Sequence, residues 1–226
     1  MHADAKHEPS LEVRVPAGPV ILKGELAVPP HARGIVLFAH GSGSSRFSPR
    51  NAFVAETLQS AGLATLLMDL LTHDEEAYDA RTGELRFDVQ LLSERLIAAA
   101  DWLSGRSATA DLRIAFFGAS TGTGAALVAA AHRPEMVDAI VSRGGRPDLA
   151  GDALRLVRAP TLLIVGGLDE LVIELNQQAL KEMLCEKRME IIPGASHLFE
   201  EQGALQKVAE LAQRWFAQHL GESEAA

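Results

Sequence analysis

The feature that most constrains this chain is a series of short apolar runs separated by helical patterns. Ile35–Ala39 is apolar at every position. Similar runs follow at Leu63–Met68, Leu112–Phe117, Val137–Val141 and Thr161–Val165, with a weaker one at Met189–Ile192. Strands without polar alternation are those buried on both faces of a sheet. Between them, Val89, Leu92, Leu96, Ala99 and Leu103 form one apolar stripe at helical spacing, and Leu205, Val208, Ala212, Trp215 and Phe216 form another. Thr121–His132 is rich in Ala and Gly and can pack tightly on a sheet; residues 173–184 also read as helix. Such alternation implies parallel βαβ units with right-handed crossovers and helices on both sheet faces. Ahead of them, Leu11–Val15 alternates with period two. A turn at Pro16-Ala17-Gly18-Pro19 joins it to a second strand, Val20–Val28, predicting an antiparallel hairpin. The expected organisation is one α/β domain over residues 11–220, a frayed segment 1–10 and a disordered tail 221–226.

Composition narrows the partners. The formal charge is −9, from 21 Lys+Arg against 30 Asp+Glu, which argues against polyanionic nucleic acid or anionic membrane surfaces. Eight Phe, two Trp and one Tyr are few for gripping sugars or bases by stacking. The single cysteine, Cys185, rules out an internal disulfide and fits a reducing compartment. The N-terminal residues have no apolar stretch of signal-peptide type, and no run approaches the ~20 residues of a membrane span. The expectation is a cytoplasmic monomer or homodimer acting on a small molecule.

In a parallel sheet the loops that follow the strands share one edge, where ligands collect. There, Gly118-Ala119-Ser120-Thr121-Gly122 follows one apolar run and opens a helix, the context of a G-x-S-x-G nucleophile elbow. The serine must stand clear on a sharp turn, and the close approach of strand and helix demands small residues two before and two after. The same glycines, with Gly124, also match the spacing of short-chain dehydrogenases. Those place it after the first strand and use a Tyr-x-x-x-Lys pair, whereas here Tyr78 is followed four residues on by Thr82. A nucleophilic serine needs a base and an acid to orient it, in the order Ser, Asp or Glu, His. Asp169 follows the run ending at Val165, and His197 follows the run ending at Ile192; Asp69, Asp148 and Glu170 are the alternative acids. Oxyanion donors are expected from the N–H of Thr121 and from the loop His40-Gly41-Ser42-Gly43, with Ser42 favoured over Gly43.

These residues make the chain similar to the α/β-hydrolases and, within them, to the dienelactone hydrolase-like group, over nearly its whole length. The resemblance implies a mostly parallel central sheet and puts Ser120, Asp169 and His197 on the triad positions, with no cofactor. No H-E-x-x-H occurs, and the eight histidines are scattered, so no metal is expected either. Dienelactone hydrolases carry cysteine at the elbow, where this chain has Ser120. The implied activity is therefore serine carboxylesterase-like cleavage of small soluble esters. A thioesterase or acyltransferase would use the same triad; a non-catalytic binding module is a further alternative. The segment Ser142–Ala159 is too short for a cap domain, so no large lid is expected. Arg46 and Arg50, and Arg143 and Arg146, lie in segments leaving the same edge. Guanidinium groups bind carboxylate or phosphate bidentately, so these four are candidates to position an anionic substrate group, Arg143 first; the alternative is pairing with acids such as Asp74, Glu75 or Asp148.

Overall fold

The computed structural model describes residues 10–221. The expectations for the chain ends therefore fall outside the described residues, except at Ser10 and Gly221. The Gly221 carbonyl accepts a hydrogen bond from Arg113 Nη1 at 3.2 Å.

Eight strands form one sheet in the order β1-β2-β4-β3-β5-β6-β7-β8. They are β1 (Leu11–Ala17), β2 (Val20–Ala27), β3 (Gly34–Ala39), β4 (Ala64–Met68), β5 (Arg113–Ala119), β6 (Ala139–Arg143), β7 (Thr161–Gly166) and β8 (Lys187–Ile192). β1 and β2 pair antiparallel, from Leu11 opposite Leu26 to Ala17 opposite Val20. β1 continues through Pro16, and the turn is confined to Gly18-Pro19; a proline lacking its N–H is tolerated because β1 is an edge strand. β2 joins β4 antiparallel, and every later pairing is parallel. The residues of β3, β4, β6 and β7 are all buried, the polar Thr65, Ser142, Arg143 and Thr161 among them.

The described residues form six α-helices: α1 (Pro49–Ser60), α2 (His73–Thr82), α3 (Val89–Ser104), α4 (Thr121–His132), α5 (Glu170–Glu182) and α6 (Ala204–Leu220). On one face Val36, Phe38 and Phe117 pack with Val54 and Leu58 of α1 and with Val208, Trp215 and Phe216 of α6. On the other, Ile35, Leu37 and Phe116 pack with Leu92 and Leu96 of α3 and the alanines of α4. Each fully buried Leu, Ile or Phe contributes roughly 1.5–3 kcal/mol over its exposed state, so these two layers carry most of the fold's stabilisation. The segment between β6 and β7 forms 3₁₀ turns over Pro147–Leu156, broken at Gly151, and rests on α4 at Gly124. It builds no separate lid.

Two helices stand where the sequence showed no apolar stripe. α1 is set by a capped start: Pro49 occupies its first turn, and Ser48 Oγ accepts the Asn51 N–H at 3.3 Å. α2 buries only Asp79. A reciprocal capping box holds it. Thr72 Oγ1 accepts the Glu75 N–H, Glu75 Oε2 accepts the Thr72 N–H, and Gly83 ends the helix at φ 70°. The Thr72-x-x-Glu75 spacing was the available signal.

The chain reverses direction across the sheet at β3, which lies between β4 and β5. At such a switch point the loops after neighbouring strands diverge and leave a crevice. Ala39 is paired with Gly118, so the loop that begins at His40 emerges directly beside the turn that carries Ser120.

Candidate active site

Ser120 adopts φ 49°, ψ −124°, a backbone region that costs a non-glycine residue of order 1–3 kcal/mol. The turn is held on both sides. Ser120 N–H donates to the Arg143 carbonyl at 3.3 Å, and the Ser120 carbonyl accepts from Thr123 N–H at 3.1 Å and Arg146 N–H at 3.0 Å. The two motif glycines are dictated by space. A Cβ on Gly122 would lie 2.2 Å from the Ala39 carbonyl oxygen, and one on Gly118 would lie 2.6 Å from Thr123 Cα. The hydroxyl thus stands where the β3 loop and the ends of β5 and β6 converge.

Asp169 ends the short Gly166–Leu168 turn after β7 and immediately precedes α5; His197 lies in the turn after β8. The two meet at 2.6 Å between Asp169 Oδ2 and His197 Nδ1. A carboxylate only accepts, so Nδ1 carries the ring proton and Nε2 keeps its lone pair. The Asp169 side chain is largely buried and that of His197 is 39% exposed. Gly144 packs on the imidazole, where an added Cβ would stand 3.5 Å from His197 Cε1. Since the Arg143 carbonyl also receives the Ser120 N–H, the Arg143–Gly144 peptide links the Ser120 turn and the imidazole. Two of the alternative acids are engaged elsewhere, Asp69 with Arg46 and Asp148 with Arg146, and Glu170 opens α5.

The oxyanion side contains a contact the sequence did not suggest. Thr121 N–H opens α4 beside Ser120, as expected. Ser42 N–H, the expected second donor, is given to Thr121 Oγ1 at 2.9 Å. The same loop is pinned by His40, which is buried. His40 Nε2 accepts the Leu70 N–H at 3.1 Å, so its proton sits on Nδ1, which donates to the Gly41 carbonyl at 3.0 Å. Burial pushes the His40 pKa below the ordinary 6.5 and outweighs the pull of the Gly41 carbonyl and Asp69. A cavity of about 540 Å³ opens next to this loop, between Thr121, the start of α1 and the inner side of α2, where Glu76 and Asp79 line it. Glu76 lies in a helix absent from the sequence reading; burial, then Asp69, raise its carboxyl pKa.

The four arginines separate. Arg46 pairs with Asp69, and its backbone N–H donates to Asp69 Oδ1 at 2.8 Å. Arg146 forks onto Asp148 at 2.8 and 2.7 Å. Glu75, one of the acids considered as partner, binds Arg95 instead, at 2.9 Å. Arg50 reaches the exposed Glu200 at 3.2 Å and lines the cavity. Arg143 is the last residue of β6 rather than a loop residue. It is 7% exposed and has no carboxylate within ion-pair distance among the described residues. Its Nη2 donates to Asn51 Oδ1 at 3.1 Å, and its Nε is buried without a partner. Burial, aided by the charge of Arg50, brings its pKa down to about 10, which leaves it cationic at neutral pH. Among the described residues no cluster of three or more His, Cys, Asp or Glu could hold a metal, and no helix is long and apolar enough to cross a membrane.

An eight-stranded, mostly parallel sheet that presents a strained serine after its central strand and an Asp–His pair from later strands defines the α/β-hydrolase class. Within that class the model of the dienelactone hydrolase family matches residues 22–220, and the chain belongs to that family. It is similar to the crystal structure of dienelactone hydrolase from Anabaena variabilis, with 61% identity, a TM-score of 0.92, and coverage of 94% of this chain and 99% of that one. It is also 56% identical over 220 residues to a Mycobacterium tuberculosis protein provisionally named a phosphoribosyl transferase. That match covers 96% of this chain and 49% of the relative, so the chain spans about half that relative's length. Est1E from Butyrivibrio proteoclasticus shares the fold at 17% identity, with a TM-score of 0.78 and coverage of 93% and 99% of the two chains.

Proposed function

We propose that this protein hydrolyses carboxylic esters of small substrates through an acyl-enzyme on Ser120. The observation that carries the reading is the strained Ser120 turn, joined through the Arg143–Gly144 peptide to an imidazole whose Nδ1–H is held by Asp169. His197 Nε2 takes the Ser120 proton as the hydroxyl oxygen attacks the ester carbonyl. The oxyanion is received beside the Thr121 N–H. His197 then gives its proton to the leaving alcohol, and the same base activates water to release the acid. Asp169 keeps the imidazole in the required tautomer and stabilises its cation. No cofactor or metal enters this scheme.

Arg143 and Arg50 extend the proposal to the substrate. Arg143 is a buried cation with no acid of its own, and Arg50 lines the cavity. The pair is suited to a carboxylate or phosphate carried by the ester, whereas Arg46 and Arg146 are neutralised by Asp69 and Asp148. The transferase name of the mycobacterial relative belongs to a chain about twice this length.

Fluorophosphonate labelling tests the reading. The folded protein should label at Ser120 and turn over p-nitrophenyl esters, and Ser120→Ala should lose both. Undiminished ester hydrolysis by Ser120→Ala would overturn it.

A further inference from the structure

The loop after β3 raises a question about the oxyanion hole. Its expected donor, Ser42 N–H, already has an acceptor in the Thr121 hydroxyl, across 79 residues of chain. A threonine hydroxyl has one proton to give. Because Oγ1 receives the Ser42 N–H, that proton is directed away from Ser42, and it has no protein acceptor among the described residues. Thr121 is 3% exposed, so its side chain is fixed by its surroundings, and it lines the cavity on the oxyanion side. A hydroxyl proton that no protein group accepts is free to be given to a ligand in the cavity that Thr121 lines. It becomes an asset if an oxygen that gains negative charge arrives there.

We propose that the Thr121 hydroxyl is itself an oxyanion donor, so that Thr121 contributes both its N–H and its Oγ1–H, while Ser42 N–H orients and polarises the hydroxyl. This rests on the ester-hydrolase reading above and assigns a further catalytic group within it. The surroundings support the arrangement. Gly41 abuts the nucleophile, since an added Cβ would lie 2.9 Å from Ser120 Cβ. His40 ties Gly41 to Leu70. The loop is thereby held so that Ser42 N–H meets Oγ1 before substrate binds. Hydrogen bonds in series reinforce one another, so a hydroxyl that accepts from an amide is a better donor than a free one. A donor fixed in advance acts on the charge that develops in the transition state and adds little to ground-state binding.

Three substitutions test this, each measured for kcat and KM on a p-nitrophenyl ester and for binding of a boronic acid that mimics the tetrahedral intermediate. Thr121→Val keeps the shape and removes the hydroxyl, both as donor and as acceptor of the Ser42 N–H. Its kcat should fall about 10²–10³-fold, the loss typical of one oxyanion donor. KM should change little, and boronic-acid affinity should fall with kcat. Thr121→Ser keeps the hydroxyl and should retain most of the activity. Thr121→Ala also frees the Ser42 N–H and removes the side-chain bulk in front of it. If that amide were the true donor, kcat in Thr121→Ala would match or exceed wild type, and the proposal would be overturned. A loss in Thr121→Ala comparable to that in Thr121→Val supports it. Failure of the hydrolase reading looks different: the wild-type protein would neither label at Ser120 nor turn over esters, whatever stands at position 121.

Discussion

Two histidines follow strands at the same edge of the sheet, and both carry the ring proton on Nδ1. His197 gives it to Asp169 and leaves Nε2 without a donor among the described residues, on a partly exposed side chain. His40 gives it to the Gly41 carbonyl and spends Nε2 on the Leu70 N–H, and its side chain is buried. Identical tautomers thus serve opposite ends. One ring can take a proton; the other ties a glycine-rich loop to the neighbouring strand. The difference lies in what faces Nε2. A histidine in the right loop is a base only when that atom is left free.

The largest expected effect separates the two rings on activity. Asp169→Asn should lower kcat about 10⁴-fold by permitting the wrong tautomer of His197. His40→Leu should reduce activity far less, through loosening of the oxyanion loop. Equal losses in steady-state assays would erase the distinction. Next in size is a variant at the crossing of both regions. Gly122→Ala drives a methyl to 2.2 Å from the Ala39 carbonyl oxygen, against backbone that has little room to yield. Overpacking usually costs about 1–3 kcal/mol, and this case should reach or exceed the top of that range in urea unfolding.

A third prediction concerns stability at His40. Leu leaves the Leu70 N–H buried without an acceptor, a loss of about 1–3 kcal/mol. In the wild-type protein the folded-state pKa of His40 lies below the ordinary value, so on acidification the unfolded chain takes up the proton first. Stability is therefore full above about pH 6.5 and falls as pH drops toward and through the folded value. His219, also lowered chiefly by burial, adds to the trend. The pH slope of unfolding free energy below about 6.5 should be shallower in His40→Leu than in wild type; an unchanged slope would assign the trend to His219 alone. The smallest effect is expected at Arg143. Replacing a buried cation that lacks a carboxylate partner is often neutral or stabilising, so Arg143→Met should shift stability by no more than about 1 kcal/mol. It should nevertheless lower kcat/KM for anionic esters relative to neutral ones. Equal slowing of both would remove the anion from the proposal.

The legible parts of this protein were those set by local pattern. The apolar runs marked the buried strands to within two residues at either end, because a strand covered on both faces admits little that is polar. The Gly118–Gly122 spacing marked the elbow because no side chain fits against Ala39 or Thr123. α1 and α2 were not legible by periodicity. α1 buries one narrow face, and α2 buries a single aspartate, so both depend on caps rather than on an apolar stripe. With α2 went one wall of the cavity, including Glu76. The arginine segments were visible, but their partners were not.

By itself, then, the sequence determined the strand–helix alternation, the Gly118–Gly122 turn and the order in which serine, acid and histidine appear. Each is a property of residues adjacent in the chain or of the helical and strand periods. Only the tertiary structure decided which arginine keeps an unneutralised charge, where the Ser42 N–H is spent, and why His40 is no base. Those outcomes depend on contacts between residues 23 to 92 positions apart, Arg46 with Asp69, His40 with Leu70, Ser42 with Thr121 and Arg143 with Asn51. Such contacts come into being only when the sheet's strand order brings the loops together. A hydrogen-bonding group buried there must take whichever partner the packing leaves within about 3 Å.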